Sequence, residues 1–285
     1  MNKKITIYHS PDADDAFMFH GLVSKHLQTP GYEFVSELKD IESLNQLARQ
    51  GAIDATAVSV HAFSYLNGNY SILNYGASMG ESDYGPRLVT KASASSLSSL
   101  KQKPRIGLPG ELTSATLAFK LYALEHDLTA ELVQMHFEAL EDAVLKGEID
   151  AGLLIHEGQI THQERGLKTI LDLGKWWWEK TELPLPLGVN IVKKSLPIED
   201  KLACAKMLSD SINFSMDNRE AAIEYALSFG RGLSYEQADK FIGMYVNKRS
   251  VNLGMAGRQS IELFLKCGAE AGFCPDPGKI EFLEA

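Results

Sequence analysis

A short pattern occurs twice in this chain, and it constrains the fold more than any other feature. Leu44-Asn45-Gln46-Leu47-Ala48-Arg49-Gln50-Gly51-Ala52-Ile53-Asp54-Ala55 is echoed by Leu140-Glu141-Asp142-Ala143-Val144-Leu145-Lys146-Gly147-Glu148-Ile149-Asp150-Ala151. Each copy reads as an amphipathic helix, a glycine stop, Ile-Asp-Ala and then an apolar strand, residues 56–59 in the first and 152–155 in the second. The echo extends upstream. Residues 5–8 form a β-branched strand, followed by a loop over 10–15 and a helix over 16–26. Residues 105–108 form a strand, followed by Pro109-Gly110-Glu111-Leu112-Thr113-Ser114 and a helix over 115–125. Residues 32–36 and 132–136 read as second strands. Each half therefore runs strand, helix, strand, helix, strand, which predicts two similar βαβ lobes.

The connections set how the lobes are joined. Residues 88–90 read as a strand leaving the first lobe, 92–100 as a Ser-rich connector and 188–192 as a strand returning from the second. From Glu199 the pattern is helical, over 200–229, 234–247 and 258–271, with no third sheet. Such a tail packs back onto the first lobe. The expected architecture is α/β: a large discontinuous lobe of residues 1–90 and 192–285 carrying the C-terminal helices, with a smaller lobe, 91–191, inserted. Two connecting strands and a cleft between lobes make a clam shell of the periplasmic-binding-protein type (type II).

Composition removes several classes of function. A chain of 285 residues, 45% hydrophobic and 23% charged, is neither disordered, collagen-like nor a disulfide scaffold. With 28 basic and 37 acidic residues the net charge is −9. That lacks the basic surface of a non-specific nucleic-acid binder, and no polybasic tract suits an anionic membrane. Cys204, Cys267 and Cys274 are odd in number and late in the chain, so they suggest no disulfide framework. No Cys-x-x-Cys or Cys/His zinc spacing occurs. No run reaches the roughly 18 apolar residues of a membrane span. The N-terminal apolar stretch is too short for a signal sequence and meets Asp12, Asp14 and Asp15 at once, so a cytoplasmic location is expected.

In open α/β sheets ligands sit beyond the carboxyl ends of strands. Four such ends can be named, at residues 10–15, 59–63, 110–115 and 156–159. His156 directly follows an apolar strand, where an imidazole can serve as a general base or simply bond to backbone. His9 and His61 also stand at strand ends. His162 lies in the loop after His156, while His20, His26, His126 and His136 read as helical or surface residues. Thr113-Ser114-Ala115 opens a helix, and free N–H groups beside a hydroxyl suit an anion there, a role compatible with plain N-capping. Ser59 ends the first-lobe strand and reads either as a turn residue or as a ligand contact. The Asp12-Ala13-Asp14-Asp15 loop lacks the Gly and distal Glu of a calcium loop, and an N-cap at Asp14 or Asp15 is the stronger reading. Nucleotide-binding glycine motifs are absent. Trp176-Trp177-Trp178 cannot all face one side of a helix; core packing plus a lobe contact is expected.

Several stretches together resemble the 1,4-dihydroxy-6-naphthoate synthase family of the futalosine route to menaquinone. They are Ser10-Pro11-Asp12-Ala13-Asp14-Asp15-Ala16-Phe17-Met18-Phe19, Pro109-Gly110 with Thr113-Ser114-Ala115, Gly152-Leu153-Leu154-Ile155-His156-Glu157, and Asp172-Leu173-Gly174 with Trp177. Thr181-Glu182-Leu183-Pro184-Leu185-Pro186-Leu187-Gly188 and Tyr245-Val246-Asn247 complete the set. The resemblance spans nearly the whole chain, and its most specific parts are the His-Glu and the Leu-Pro-Leu-Pro-Leu-Gly return. It implies a lyase that converts cyclic dehypoxanthine futalosine to 1,4-dihydroxy-6-naphthoate and dihydroxyacetone without metal or organic cofactor. By the same resemblance His156 is the general base, and Ser59, Thr113, Ser114 and Ala115 bind the substrate, a small-molecule carboxylate. A homodimer stays open. The sister family, chorismate dehydratase, lacks His-Glu after this strand. A transporter's solute-binding protein and a non-catalytic ligand sensor are the other classes that share the fold. The family carries Cys-Pro-Asn-Asp where this chain has Asp12-Ala13-Asp14-Asp15. The added carboxylates suit an anionic substrate poorly, Asp14 is expected to make no substrate contact, and Arg87 is the cation expected to offset them.

Overall fold

The computed structural model describes residues 2–91, 96–229 and 232–285. The first part of the chain forms β1 (Lys3–His9), α1 (Ala13–Val23), β2 (Tyr32–Leu38), α2 (Ile41–Arg49), β3 (Ala55–Ser59), the short α3 (Val60–Phe63), β4 (Tyr70–Leu73) and β5 (Ser78–Gly80). Then come β6 (Arg87–Lys91), β7 (Arg105–Leu108), α4 (Ser114–Glu125), β8 (Glu131–Gln134), α5 (Leu140–Lys146), β9 (Ala151–Leu154), α6 (Gly158–Thr161), β10 (Leu167–Asp172) and α7 (Leu173–Thr181). The last part is β11 (Leu185–Lys193), α8 (Ile198–Asp217), α9 (Arg219–Leu227), α10 (Tyr235–Tyr245), α11 (Lys248–Val251), α12 (Gly254–Glu270) and β12 (Phe282–Leu283). No helix among the described residues is long and apolar enough to cross a membrane.

The strands form two sheets, ordered β12-β4-β11-β3-β1-β2, with β5 paired to β11, and β10-β6-β9-β7-β8. The repeated sequence pattern becomes a repeated topology. The triplets β2-β1-β3 and β8-β7-β9 are both parallel. Each is flanked by an antiparallel strand from the connection, β11 beside β3 and β6 beside β9. The echoed glycines do the same work in both copies. Gly51 and Gly147 stand just after α2 and α5 at φ 66° and 77°, a left-handed conformation that glycine takes without a Cβ clash.

Several expectations are corrected. The strand expected at 88–90 to close the first lobe is β6, which belongs to the second sheet, so the chain crosses between Gly80 and Arg87. The return is complete by Leu185. The expected boundaries at 90/91 and 191/192 therefore fall inside β6 and β11, because each connecting strand pairs with the sheet it enters. Residues 92–95 of the Ser-rich connector lie outside the described residues. The N-cap of α1 is Asp12, with Asp14 and Asp15 inside the first turn, where their charge faces the positive end of the helix. The single helix expected over 200–229 is two, broken at Asn218 (φ −117°, ψ 46°). A short strand that the pattern did not show, β12, pairs with β4.

The tail helices do pack on the first lobe. Phe17, Met18 and Phe19 of α1 are buried against Leu208, Ile212, Ile223 and Phe241 of α8–α10. α12 goes further and joins the lobes, since Phe264 and Leu265 share one apolar cluster with Phe63, Leu117 and Trp177. Trp177 donates from Nε1 to Ser260 Oγ at 3.3 Å and lies edge-on to Phe264. Trp176 is buried beside it and Trp178 is half-buried. None of the three lines the cleft. One side of the clam shell is thus a shared core, and the cleft opens beside it.

Candidate active site

A cleft lies where the carboxyl ends of β1, β3, β7 and β9 converge. Ser59, Thr113, Ser114, Ala115 and His156 all line it, so the structure brings the five sequence-derived residues together from three strand ends. The floor is β11, through Leu187, Gly188, Val189 and Asn190.

His156 stands two residues beyond β9 with a left-handed backbone, φ 55°, a conformation that costs a non-glycine residue of order 1–3 kcal/mol. Its ring meets Phe137 edge-on, centroids 4.9 Å apart. Nδ1 lies 3.3 Å from Asp12 Oδ2, and Nε2 is buried without a hydrogen-bond partner. Asp12 comes from the β1–α1 loop, on the other lobe.

The hydroxyls opposite are organised differently from one another. Ser59 is clamped by buried Asn45, whose Nδ2 donates to Ser59 Oγ at 3.1 Å while its Oδ1 accepts from the Ser59 N–H at 2.9 Å. Thr113 is the N-cap of α4 and accepts from the Thr116 N–H at 3.3 Å. Ser114 Oγ donates to the Leu187 carbonyl at 2.6 Å and accepts from the His61 N–H at 3.1 Å. Its hydroxyl ties α4 to β11 and α3. What the start of α4 offers an anion is therefore backbone N–H groups rather than the Ser114 side chain.

The acidic loop is buried, not solvated. Ser10 N–H donates to Asp15 Oδ2 at 3.1 Å, and Ser78 Oγ donates to Asp14 Oδ2 at 2.8 Å. Burial raises the carboxyls of Asp14, Asp15 and Glu157; the neighbouring Asp12 raises Asp14 and Glu157 further, and Asp14 does the same to Asp15. Asp14 lines the cleft. Arg87 does not. Its Nε lies 3.3 Å from Asp172 Oδ2 and its Nη1 donates to the Gln159 carbonyl, so it braces the second lobe and cannot offset the acids. Among the described residues no Lys or Arg lines the cleft. Among the described residues no group of three or more His, Cys, Asp or Glu is placed to hold a metal ion.

The other strand-end histidines are structural. His9 is buried between the Ser10 carbonyl and Ser36 Oγ and stacks on Phe19. His61 is buried with Nδ1 3.2 Å from the Thr113 carbonyl. His162 lies between the Gly158 carbonyl and Thr169 Oγ1. The sequence reading missed Asn45, Ser78, Gln159, Asn190 and Tyr245. Asn45 sits in the echoed helix on the stripe of Ile41, Leu44 and Ala48, and a polar residue at that spacing was the available signal. Gln159 lay in a strand end already named and Tyr245 in a resembling stretch, but neither had been given a role in the site.

Comparison with known proteins accords with this geometry. Residues 5–270 match the family model described as menaquinone biosynthesis. The 1,4-dihydroxy-6-naphthoate synthase of Streptomyces coelicolor is 31% identical over 277 residues, covering 96% of both chains. That of Thermus thermophilus is 30% identical over 269 residues, covering 94% of this chain and 95% of its own. A crystal structure from Archaeoglobus fulgidus superposes with a TM-score of 0.87 at 40% identity, covering 94% of this chain and 98% of that one. The ligand-binding component of an ABC-type import system from Staphylococcus aureus gives 0.73 at 14% identity, covering 98% of this chain and 96% of its own. The alkanesulfonate-binding protein of Xanthomonas axonopodis gives 0.71 at 8%, covering 99% and 98%. At such identities the likeness is one of fold, and it identifies the two-lobed periplasmic-binding-protein architecture. By both the family match and the curated relatives, the chain belongs to the menaquinone biosynthesis family.

Proposed function

We propose that this protein is a carbon–carbon lyase that converts cyclic dehypoxanthine futalosine to 1,4-dihydroxy-6-naphthoate and dihydroxyacetone, with His156 as general base. The observation that carries the reading is His156 itself. It is held at a strained strand end, and one ring nitrogen faces a buried carboxylate while the other has no partner. Nε2 takes a substrate hydroxyl proton, the alkoxide electrons form a carbonyl, and the adjacent C–C bond breaks in a retro-aldol-like step. Aromatisation of the new ring draws the sequence forward. With no Lys or Arg lining the cleft among the described residues, the substrate carboxylate goes to the backbone N–H groups at Ser114 and Ala115, and the Ser59 hydroxyl, fixed by Asn45, supplies a further contact. The raised carboxyl groups of Asp14, Asp15 and Glu157 hold protons above their usual range, which lessens repulsion of an anion. We place the protein in the cytoplasm, acting without an added cofactor.

The test is purified protein incubated with cyclic dehypoxanthine futalosine, the product followed by absorbance and mass, with chorismate in a parallel reaction. Naphthoate should form, and His156→Ala should lose about 10²–10⁴-fold in kcat, the usual worth of a general base, while the fold survives. Dehydration of chorismate instead would assign the sister activity. Melting-temperature shifts with small acids, without turnover of either compound, would make the clam shell a binder.

A further inference from the structure

The β1–α1 loop belongs to the first sheet and the β9–α6 loop to the second, and the two loops meet at His156. Asp12 is the N-cap of α1, yet its side chain makes no capping bond. An N-cap aspartate ordinarily turns back onto the N–H groups of its own first turn. The Ala13 N–H donates across the cleft to Glu157 Oε1 at 3.1 Å, and the Ala16 N–H donates to the Asp12 carbonyl at 2.8 Å. The Asp12 side chain, 2% exposed, instead lies with Oδ2 3.3 Å from His156 Nδ1. The Asp12 N–H donates to Ser10 Oγ at 3.2 Å, which fixes the loop that carries it.

We propose that Asp12 is a positioning residue that takes the Nδ1–H of His156 from the opposite lobe, fixing the tautomer whose Nε2 is bare. An ionised carboxylate only accepts, so the ring nitrogen facing it must carry the hydrogen. Once Nε2 has taken a proton, the same carboxylate faces an imidazolium and stabilises it. Because base and carboxylate come from different lobes, His156 reaches its working form only when the lobes are together. The proposal rests on His156 being the base, and its test separates the two.

The experiment compares wild type with Asp12→Asn and Asp12→Glu, using protein labelled with ¹⁵N in histidine. The His156 signals are assigned by their loss in His156→Ala. Two-bond ¹H–¹⁵N spectra of the substrate-free protein report the tautomer directly. The Asp12 side chain makes no capping bond, so Asp12→Asn keeps α1. Its amide can donate, however, and can select the opposite tautomer, the effect known from the Asp-to-Asn change in serine-protease triads. Wild type should show Nδ1–H; Asp12→Asn should gain the Nε2–H form, lose about 10²-fold in kcat, and keep KM within about threefold, since the general-base contribution is what is lost. Asp12→Glu should recover part of both signals. An unchanged His156 tautomer in Asp12→Asn, or an unchanged kcat, overturns the proposal. If no variant, wild type included, turns over the substrate, the assigned activity fails, and the spectra still decide whether Asp12 sets the ring.

Discussion

His61 and His156 both follow strands that end at the cleft, and three-dimensional context sends them in opposite directions. His61 is 1% exposed, faces the Thr113 carbonyl from Nδ1, and donates its backbone N–H to Ser114 Oγ. Burial lowers its pKa to about 4 from the ordinary 6.5. Burial does the same to His9, also to about 4. Between pH 6.5 and 4 the unfolded chain binds protons that the folded chain does not. The stability is therefore whole above the ordinary value and is lost as pH falls through that window. Each full shift corresponds to about 3 kcal/mol. Calorimetry across this range should show the melting temperature dropping on acidification, and His61→Asn should flatten the drop. Parallel curves for wild type and variant would mean that the ring is not buried neutral. The strand-end position was legible in the sequence for all three residues, His9, His61 and His156. Which one kept a nitrogen beside an acid was not, because Asp12 lies far away in the chain and on the other lobe.

At the level of elements, what could be read was what is encoded locally. The echoed helices, their glycine stops and the strands behind them depend on periodicity and on single residues, and they are found as the pattern implies. Sheet membership is different. β6 joins the second sheet because its partner is Gly152–Leu154 of β9, a choice made by topology and invisible in Arg87-Leu88-Val89 itself. The break at Asn218 was hidden because apolar spacing continues on both sides, and β12 is too short to show a period. Crossing between sheets also forces a close backbone approach. A Cβ on Gly174, at the start of α7, would stand 2.1 Å from the Tyr84 carbonyl oxygen and 2.5 Å from its carbon. Backbone cannot yield as a side chain does. Gly174→Ala should therefore cost at least about 2 kcal/mol in chemical denaturation, within the usual range for overpacking. A change under about 0.5 kcal/mol would show that the crossing segment moves freely.

For the whole molecule the question is what holds the lobes together over a cleft whose described lining carries acids and no Lys or Arg. On the closed-core side α12 does so through Phe264 and Leu265. On the cleft side the ties are polar: Asp12 to His156, Ala13 to Glu157, and Tyr245 of α10 to Gln159 of α6, whose side chains are hydrogen-bonded at 2.6 Å. Burial raises the Tyr245 hydroxyl well above its usual range, so it stays a proton donor at any working pH. A hydrogen bond of this kind is worth about 1 kcal/mol net. Removing it by Tyr245→Phe lowers the closed fraction, and apparent affinity falls with that fraction. The expected result is a KM raised about fivefold with kcat nearly unchanged, together with a larger radius of gyration in solution scattering that substrate or product reverses, since a 1 kcal/mol change alters an equilibrium by about that factor. If kcat collapses while KM and the scattering stay as in wild type, Tyr245 touches the reacting atoms instead, and the polar ties are not what closes the shell.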